Sequence, residues 1–276
     1  MRFISDRTLY ISDLDGTLLG SDETTSEYTN TVINRLTEQG MLFSYATARS
    51  IATSKKVAAG ITVHIPVILF NGAFIMDHVT GEIMIANYFE ASVKYVCEEL
   101  LQKGIYPIVY SYIDGVEKMS FIKSRCTQGM NAFLRRRKGD ARLRPIESAE
   151  ELLQGKCFYI LCIDTPERLR PLYEKYKDVF HCVFQRDIYT GYQWFEMMPA
   201  EASKANAAKQ LKKQLGCEKL VVFGDGKNDL DMFEIADECY AVDNAVDELK
   251  QKATAVIGSN DENGVAKWLE MNWPFR

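Results

Sequence analysis

Tyr10-Ile11-Ser12-Asp13-Leu14-Asp15-Gly16-Thr17-Leu18 ends an apolar run on two carboxylates set two residues apart, with glycine and threonine directly after them. In an extended chain, residues i and i+2 project to the same side, so Asp13 and Asp15 can face one pocket. The same letters also suit a hairpin, because Asp-Gly between apolar runs is a strong turn signal. The far end of the chain weighs toward the pocket.

There, Leu220-Val221-Val222-Phe223-Gly224-Asp225-Gly226-Lys227-Asn228-Asp229 repeats the layout. An apolar strand runs into a glycine-rich turn carrying acids, and a helix is expected from Asn228 to about Ala236. Two such strand ends can lie side by side in a parallel sheet, at the edge where open α/β folds place their ligands. The alternating Asp225, Lys227, Asp229 and Asp231 do not make a calcium loop. Its sixth position would be Leu230 where glycine is needed, and its twelfth Ala236 where a chelating glutamate belongs. Helix N-capping by Asp225 or Asn228 is compatible with a functional role.

The length of 276 residues allows one large or two modest domains. A hydrophobic share of 47% with 26% charged residues suits a globular chain with a substantial core. The net charge of −5 argues against a general nucleic-acid binder but not against a small anionic substrate, for which local charge decides. The seven cysteines show no zinc-site or redox spacing and read as reduced, mostly buried thiols. Asp6 and Arg7 follow so closely on Arg2 that no signal-peptide core fits, and no apolar stretch approaches bilayer length. The expectation is a cytoplasmic protein with no membrane partner.

Strand and helix alternate through the first third. A helix is expected over Ser26 to Gln39, stopped at Gly40, then strands over Leu42 to Ala46 and Val67 to Phe70 with a helix over Ile51 to Ala59 between them. Such spacing predicts a parallel sheet. A hairpin follows from Phe74 to Ile85 across Val79-Thr80-Gly81. From there to Gln193, strand pairs mixed with helices suggest a separate α+β layer. Alternation resumes with a helix over Ser203 to Leu215, the Asp225 strand, strands near Cys239 to Val242 and Ala255 to Ile257, and a last helix over Gly264 to Met271. The expected architecture is a discontinuous α/β core, 1–85 with 194–276, and an inserted α+β domain at 86–193.

Asp13-Leu14-Asp15-Gly16-Thr17, Thr47 at a strand end, Lys204, and Gly224-Asp225-Gly226-Lys227-Asn228-Asp229 occur in an order that resembles the haloacid dehalogenase superfamily. The long insertion and the closing Ser259-Asn260-Asp261-Glu262-Asn263-Gly264-Val265-Ala266 are similar to its Cof-type branch with a large α/β cap, subfamily IIB. The resemblance implies a Rossmann-like parallel-sheet core and an inserted cap that sets substrate specificity.

It further implies a Mg²⁺-dependent phosphatase of small phosphorylated metabolites, sugar phosphates above all, working through an aspartyl-phosphate. On that reading Asp13 is the nucleophile and Asp15 the general acid and base. Asp13, the Asp15 backbone carbonyl and Asp225 hold the metal, with Asp229 as ligand or supporting partner. Lys204, Thr47 and the amides of Leu14 and Ala48 bind the phosphoryl group, and Asn71 and Asn228 face the substrate. Two positions depart from the usual pattern. Ala48 stands where glycine is customary between Thr47 and Arg49, and Ala205 follows Lys204 in place of glycine.

Each residue has a plainer role open to it: Lys204 as one more surface lysine, Thr47 as a strand end, Asn71-Gly72 as a turn. Arg135-Arg136-Arg137-Lys138 reads as a solvated helix face rather than a sensor of the phosphate leaving group. Tyr189, Tyr192 and Trp194 can pack a domain joint or contact a sugar. Rival functions are a phosphomutase of the same superfamily, a phosphoacceptor module and a non-catalytic sugar-phosphate sensor. A monomer or weak dimer is expected.

Overall fold

The computed structural model describes residues 7–187 and 191–273. Arg2, Asp6 and Tyr189 lie outside the described residues. The chain divides into two compact units: the stretch up to Ala86 together with that from Ala202, and Asn87–Glu201.

The first unit is built on five parallel strands in the order Ala255–Ile257, Glu238–Val242, Lys219–Gly224, Thr8–Ser12, Leu42–Tyr45. Thr8–Ser12 is thus flanked by strands from both ends of the chain, with Ser12 level with Phe223 on one side and Tyr45 on the other. Leu9, Ile11, Leu220, Val222 and Phe223 are all fully buried, as expected for parallel strands covered on both faces.

Two helices of this unit form where caps and apolar spacing predict them. Glu27–Glu38 buries Val32, Ile33 and Leu36, and Ser26 caps it by accepting from the Thr29 amide. Lys204–Gln214 begins at Ser203, whose hydroxyl accepts from the Asn206 amide. Among the described residues no helix is long and apolar enough to cross a membrane.

Val67–Leu69 does not simply extend the parallel sheet. It touches it through one parallel bridge, Ala46 to Ile68, and pairs antiparallel with Phe74–Met76, which pairs in turn with Ile83–Ala86. The cause lies in Phe70, Asn71 and Gly72, all at positive φ (50°, 51° and 97°), which reverse the chain at once.

The second unit carries a six-stranded sheet in the order His181–Arg186, Gln193–Met198, Lys156–Asp164, Ile108–Ile113, Val116–Ile122, Leu143–Ile146. All neighbours are antiparallel except the last pair. On one face Val109, Ile160, Cys162, Phe195 and Met197 pack in a single cluster with Cys97 and Leu100 from helix Val93–Gln102 and with Leu169 and Leu172 from helix Pro166–Tyr176. The unit ends at Glu201 and not at 193 as the sequence suggested. Gln193–Met198 is the reason, since it pairs on both sides within this sheet. All seven cysteines are free, and five are buried.

Candidate active site

Asp13 stands one residue past the central strand, and its amide still donates to the Phe223 carbonyl at 3.0 Å. The chain then makes a wide turn over Leu14–Leu18, closed by the Leu19 amide on the Leu14 carbonyl at 2.9 Å. Gly16 is what permits it. Its φ is +78°, and a Cβ there would stand 2.4 Å from Oδ2 of Asp225. One residue on, the Thr17 hydroxyl donates to Oδ1 of Asp225 at 2.9 Å. The turn after the first strand is thereby tied to the turn after Lys219–Gly224.

Asp13, Asp225 and Asp229 each offer an oxygen, and these oxygens lie within 4.8 Å of one another. Asp229 is fully buried and its Oδ2 accepts from the amides of Asp225 and Gly226, both at 3.1 Å. Lys204, only 1% exposed, donates to Oδ1 of Asp13 at 2.6 Å and to Oδ1 of Asp229 at 2.7 Å. A buried ammonium is normally costly. Burial lowers the proton affinity of Lys204, but the charges of Asp13 and Asp229 outweigh it and keep the lysine charged.

The acids feel the opposite pressure. Burial pushes Asp13 well above the usual carboxylate range; Lys204 pulls it down, and the neighbouring carboxylates push it further up. Burial and then Asp229 push Asp225 up to about 6. Three acids share one cation.

The remaining expected residues fall into place unevenly. The Asp15 carboxylate lies outside the three-acid cluster. It is gripped by Arg49, whose Nε reaches both oxygens at 3.1 and 2.9 Å and whose Nη2 reaches Oδ1 at 2.5 Å. Arg49 also contacts Glu23 at 3.2 Å. Burial opposes the charge on Arg49, but Asp15 and Glu23 together raise its pKa above the ordinary arginine value. Sequence reasoning left Arg49 out of the site, although the motif containing Thr47 ends on it.

Thr47 is fully buried and its hydroxyl accepts from the Arg49 amide at 3.1 Å. Its carbonyl accepts from the Asn71 amide at 2.9 Å. Asn71 is 2% exposed, sits in the left-handed region, and its Oδ1 has no hydrogen-bond partner. A buried amide oxygen left so is costly unless something else satisfies it. The same turn runs close to the start of the Lys204 helix: a Cβ on Gly72 would lie 2.1 Å from the Ser203 carbonyl oxygen. Leu14 is buried, Ala48 exposed, and Asn228 half-buried in the short turn Lys227–Asp229.

The donor set suits a hard divalent cation. It contains carboxylate oxygens and neither histidine nor thiolate, and oxygen donors of this kind match Mg²⁺. The excess of acids over Lys204 calls for further positive charge. Asp13, Asp225 and Asp229 are the residues that would hold it.

The sequence profile of haloacid dehalogenase-like hydrolases matches residues 10–269. The chain is 31% identical to the 5-amino-6-(5-phospho-D-ribitylamino)uracil phosphatase YwtE of Bacillus subtilis, over 94% of its own length and 95% of that protein's. Among solved structures, TM0651 from Thermotoga maritima is similar with a TM-score of 0.76 at 28% identity, covering 96% of this chain and 97% of that one. The subclass IIB sugar phosphatase BT4131 shares the fold with a TM-score of 0.74 at 18% identity, covering 96% and 98%. With strand-end acids, buried lysine and inserted second unit all present in that family's order, the chain belongs to the haloacid dehalogenase-like hydrolases and is an enzyme of their phosphatase branch.

Proposed function

We propose that this enzyme is a Mg²⁺-dependent phosphatase of small phosphorylated metabolites, with sugar phosphates and phosphorylated sugar alcohols as its substrate class. The observation that carries the reading is Lys204, buried and shared between Asp13 and Asp229 at 2.6 and 2.7 Å. A carboxylate nucleophile and a phosphate dianion repel each other, and a buried cation at the nucleophile offsets that repulsion.

On this reading one oxygen of Asp13 attacks phosphorus and the bond to the leaving oxygen breaks. Asp15 gives its proton to that oxygen, then takes one from the water that attacks the aspartyl-phosphate, releasing inorganic phosphate and restoring Asp13. Arg49, which bonds both oxygens of Asp15, must release one of them before Asp15 can carry the proton, and holds the carboxylate in its ionised form. Thr47 and the amides of Leu14 and Ala48 hold the phosphoryl oxygens, with Asn71 and Asn228 toward the substrate. Bound Mg²⁺ would supply charge neutralisation and orientation of the phosphoryl oxygens, held by Asp13, the Asp15 backbone carbonyl, Asp225 and Asp229. The Asn87–Glu201 unit selects the leaving group. The enzyme works as a monomer or weak dimer in the cytoplasm.

The test is phosphate release across a panel of sugar phosphates, nucleotides and cofactor phosphates, including the ribitylamino-uracil phosphate after which YwtE is named. Release should stop with EDTA, return with excess Mg²⁺, and be inhibited by Ca²⁺, whose looser coordination spoils in-line geometry. Full activity in a metal-free sample overturns the metal assignment. Binding without cleavage anywhere in the panel overturns the catalytic one.

A further inference from the structure

The closing segment that begins at Ser259 takes no part in the chemistry above, yet it bonds to the loop that carries it. Asn244, in the turn after Glu238–Val242, donates Nδ2 to the Gly16 carbonyl at 2.7 Å and accepts at Oδ1 from the Asn260 amide at 3.0 Å. Asn260 in turn donates its Nδ2 to the Leu19 carbonyl at 2.9 Å. Leu19 is the residue whose amide closes the turn onto Leu14. Two linked amide side chains therefore hold both Gly16 and the turn's closing residue.

Gly16 is where such a hold matters. Without a Cβ and at φ +78°, its peptide has more rotational freedom than any other in the turn. The peptide it heads continues into Thr17, whose hydroxyl is on Asp225. The Asn244 turn meets Asp225 a second time, through the Val246 amide on the Asp225 carbonyl at 2.9 Å. Rotation of the Gly16–Thr17 peptide would carry the Thr17 hydroxyl off a carboxylate of the metal cluster.

We propose that Asn244 and Asn260 are positioning residues: they fix the Gly16–Thr17 peptide so that Thr17 holds Asp225, and thereby set the affinity of the three-acid cluster for its cation. This rests on the metal reading above. Partners of this kind behind a metal ligand typically change metal affinity by about 10–100-fold when removed.

The experiment is calorimetric titration of the full chain with Mg²⁺, beside thermal unfolding of each variant. Asn244→Ala should weaken Mg²⁺ binding by about 10-fold or more, and Asn260→Ala should weaken it in the same direction. Asn244→Asp should do no better than alanine, because a carboxylate has no proton to donate to the Gly16 carbonyl. Combining Asn244→Ala with Thr17→Val should weaken binding no further than Thr17→Val alone, since both act through one contact. Wild-type Mg²⁺ affinity in Asn244→Ala and Asn260→Ala, measured where both are folded, overturns the proposal even if their melting temperatures fall. Should Asn244→Ala not fold, Asn260→Ala decides by itself. If the wild type takes up no Mg²⁺, the metal reading fails first and this inference falls with it.

Discussion

Lys204 bonds two of three clustered carboxylates, buried Asp13 and Asp229 beside half-buried Asp225, so the residues around it are not interchangeable. Asp13→Asn removes the proposed nucleophile and its charge together, and no aspartyl-phosphate should form, as acid-quench trapping of the intermediate would show. Asp15→Asn leaves Asp13 in place and should slow turnover by about 10²–10⁴-fold. The loss should be smallest with nitrophenyl phosphate, whose leaving group needs little protonation. Near wild-type turnover by Asp13→Asn would exclude covalent catalysis. Asp13, Asp225 and Asp229 were legible because each belongs to a local pattern of apolar strand, acid and glycine, and Lys204 because it fell in order with them. Arg49 was not singled out, because its partner Asp15 lies 34 positions away and nothing local marks the pairing. Asn244 and Asn260 were less visible still. They bond backbone carbonyls, and a backbone carbonyl has no letter in a sequence.

Among the elements, the helices were the easiest to foresee, since Ser26 and Ser203 cap theirs and the apolar spacing behind them is regular. The short helix Asp247–Lys252 was missed, for Asp-Glu-Leu-Lys-Gln-Lys has one apolar residue and no period to read. All of the strand Gln193–Met198 but its first residue was assigned to the other unit. An apolar run reads alike in either sheet, and only its pairing with His181–Arg186 and Lys156–Asp164 tells them apart. That strand also carries Glu196, 2% exposed, which accepts from the Tyr159 phenol and from Gln185 Nε2. Burial raises the Glu196 pKa above its ordinary 4.5, against the lowering effect of those two hydrogen bonds. The folded state therefore holds this proton more tightly than the unfolded chain. Its contribution to stability is full below the ordinary glutamate value and is lost as pH rises through the raised one. Glu196→Gln should consequently be more stable than wild type near neutral pH, with the gap closing on acidification toward 4.5. Urea unfolding of both proteins across that range checks it, and a gap that widens on acidification would contradict it.

At the scale of the whole molecule, the two units have separate cores, and each should respond separately to surgery. Replacing Asn87–Glu201 by a short linker should leave a soluble domain that still hydrolyses nitrophenyl phosphate but discriminates poorly among sugar phosphates. Unchanged selectivity in the same panel would place substrate choice in the first unit. The strand order described above also has a consequence for how the chain is made. Thr8–Ser12 is flanked by Lys219–Gly224, so this strand, once out of the ribosome, must wait for a neighbour about two hundred codons downstream. At ~5–20 residues per second, that delay is on the order of 10–40 s. Throughout it the Tyr10-Ile11 strand has no partner on that side, while Asn87–Glu201, contiguous in sequence, can complete its own sheet. Nascent chains stalled with Glu201 just outside the ribosome and Lys219–Gly224 still inside it should therefore carry a protease-resistant insert and a digestible first third. The unit that carries the proposed site is begun before the insert and finished after it, and a chaperone acting on it would find its task at the Tyr10-Ile11 strand.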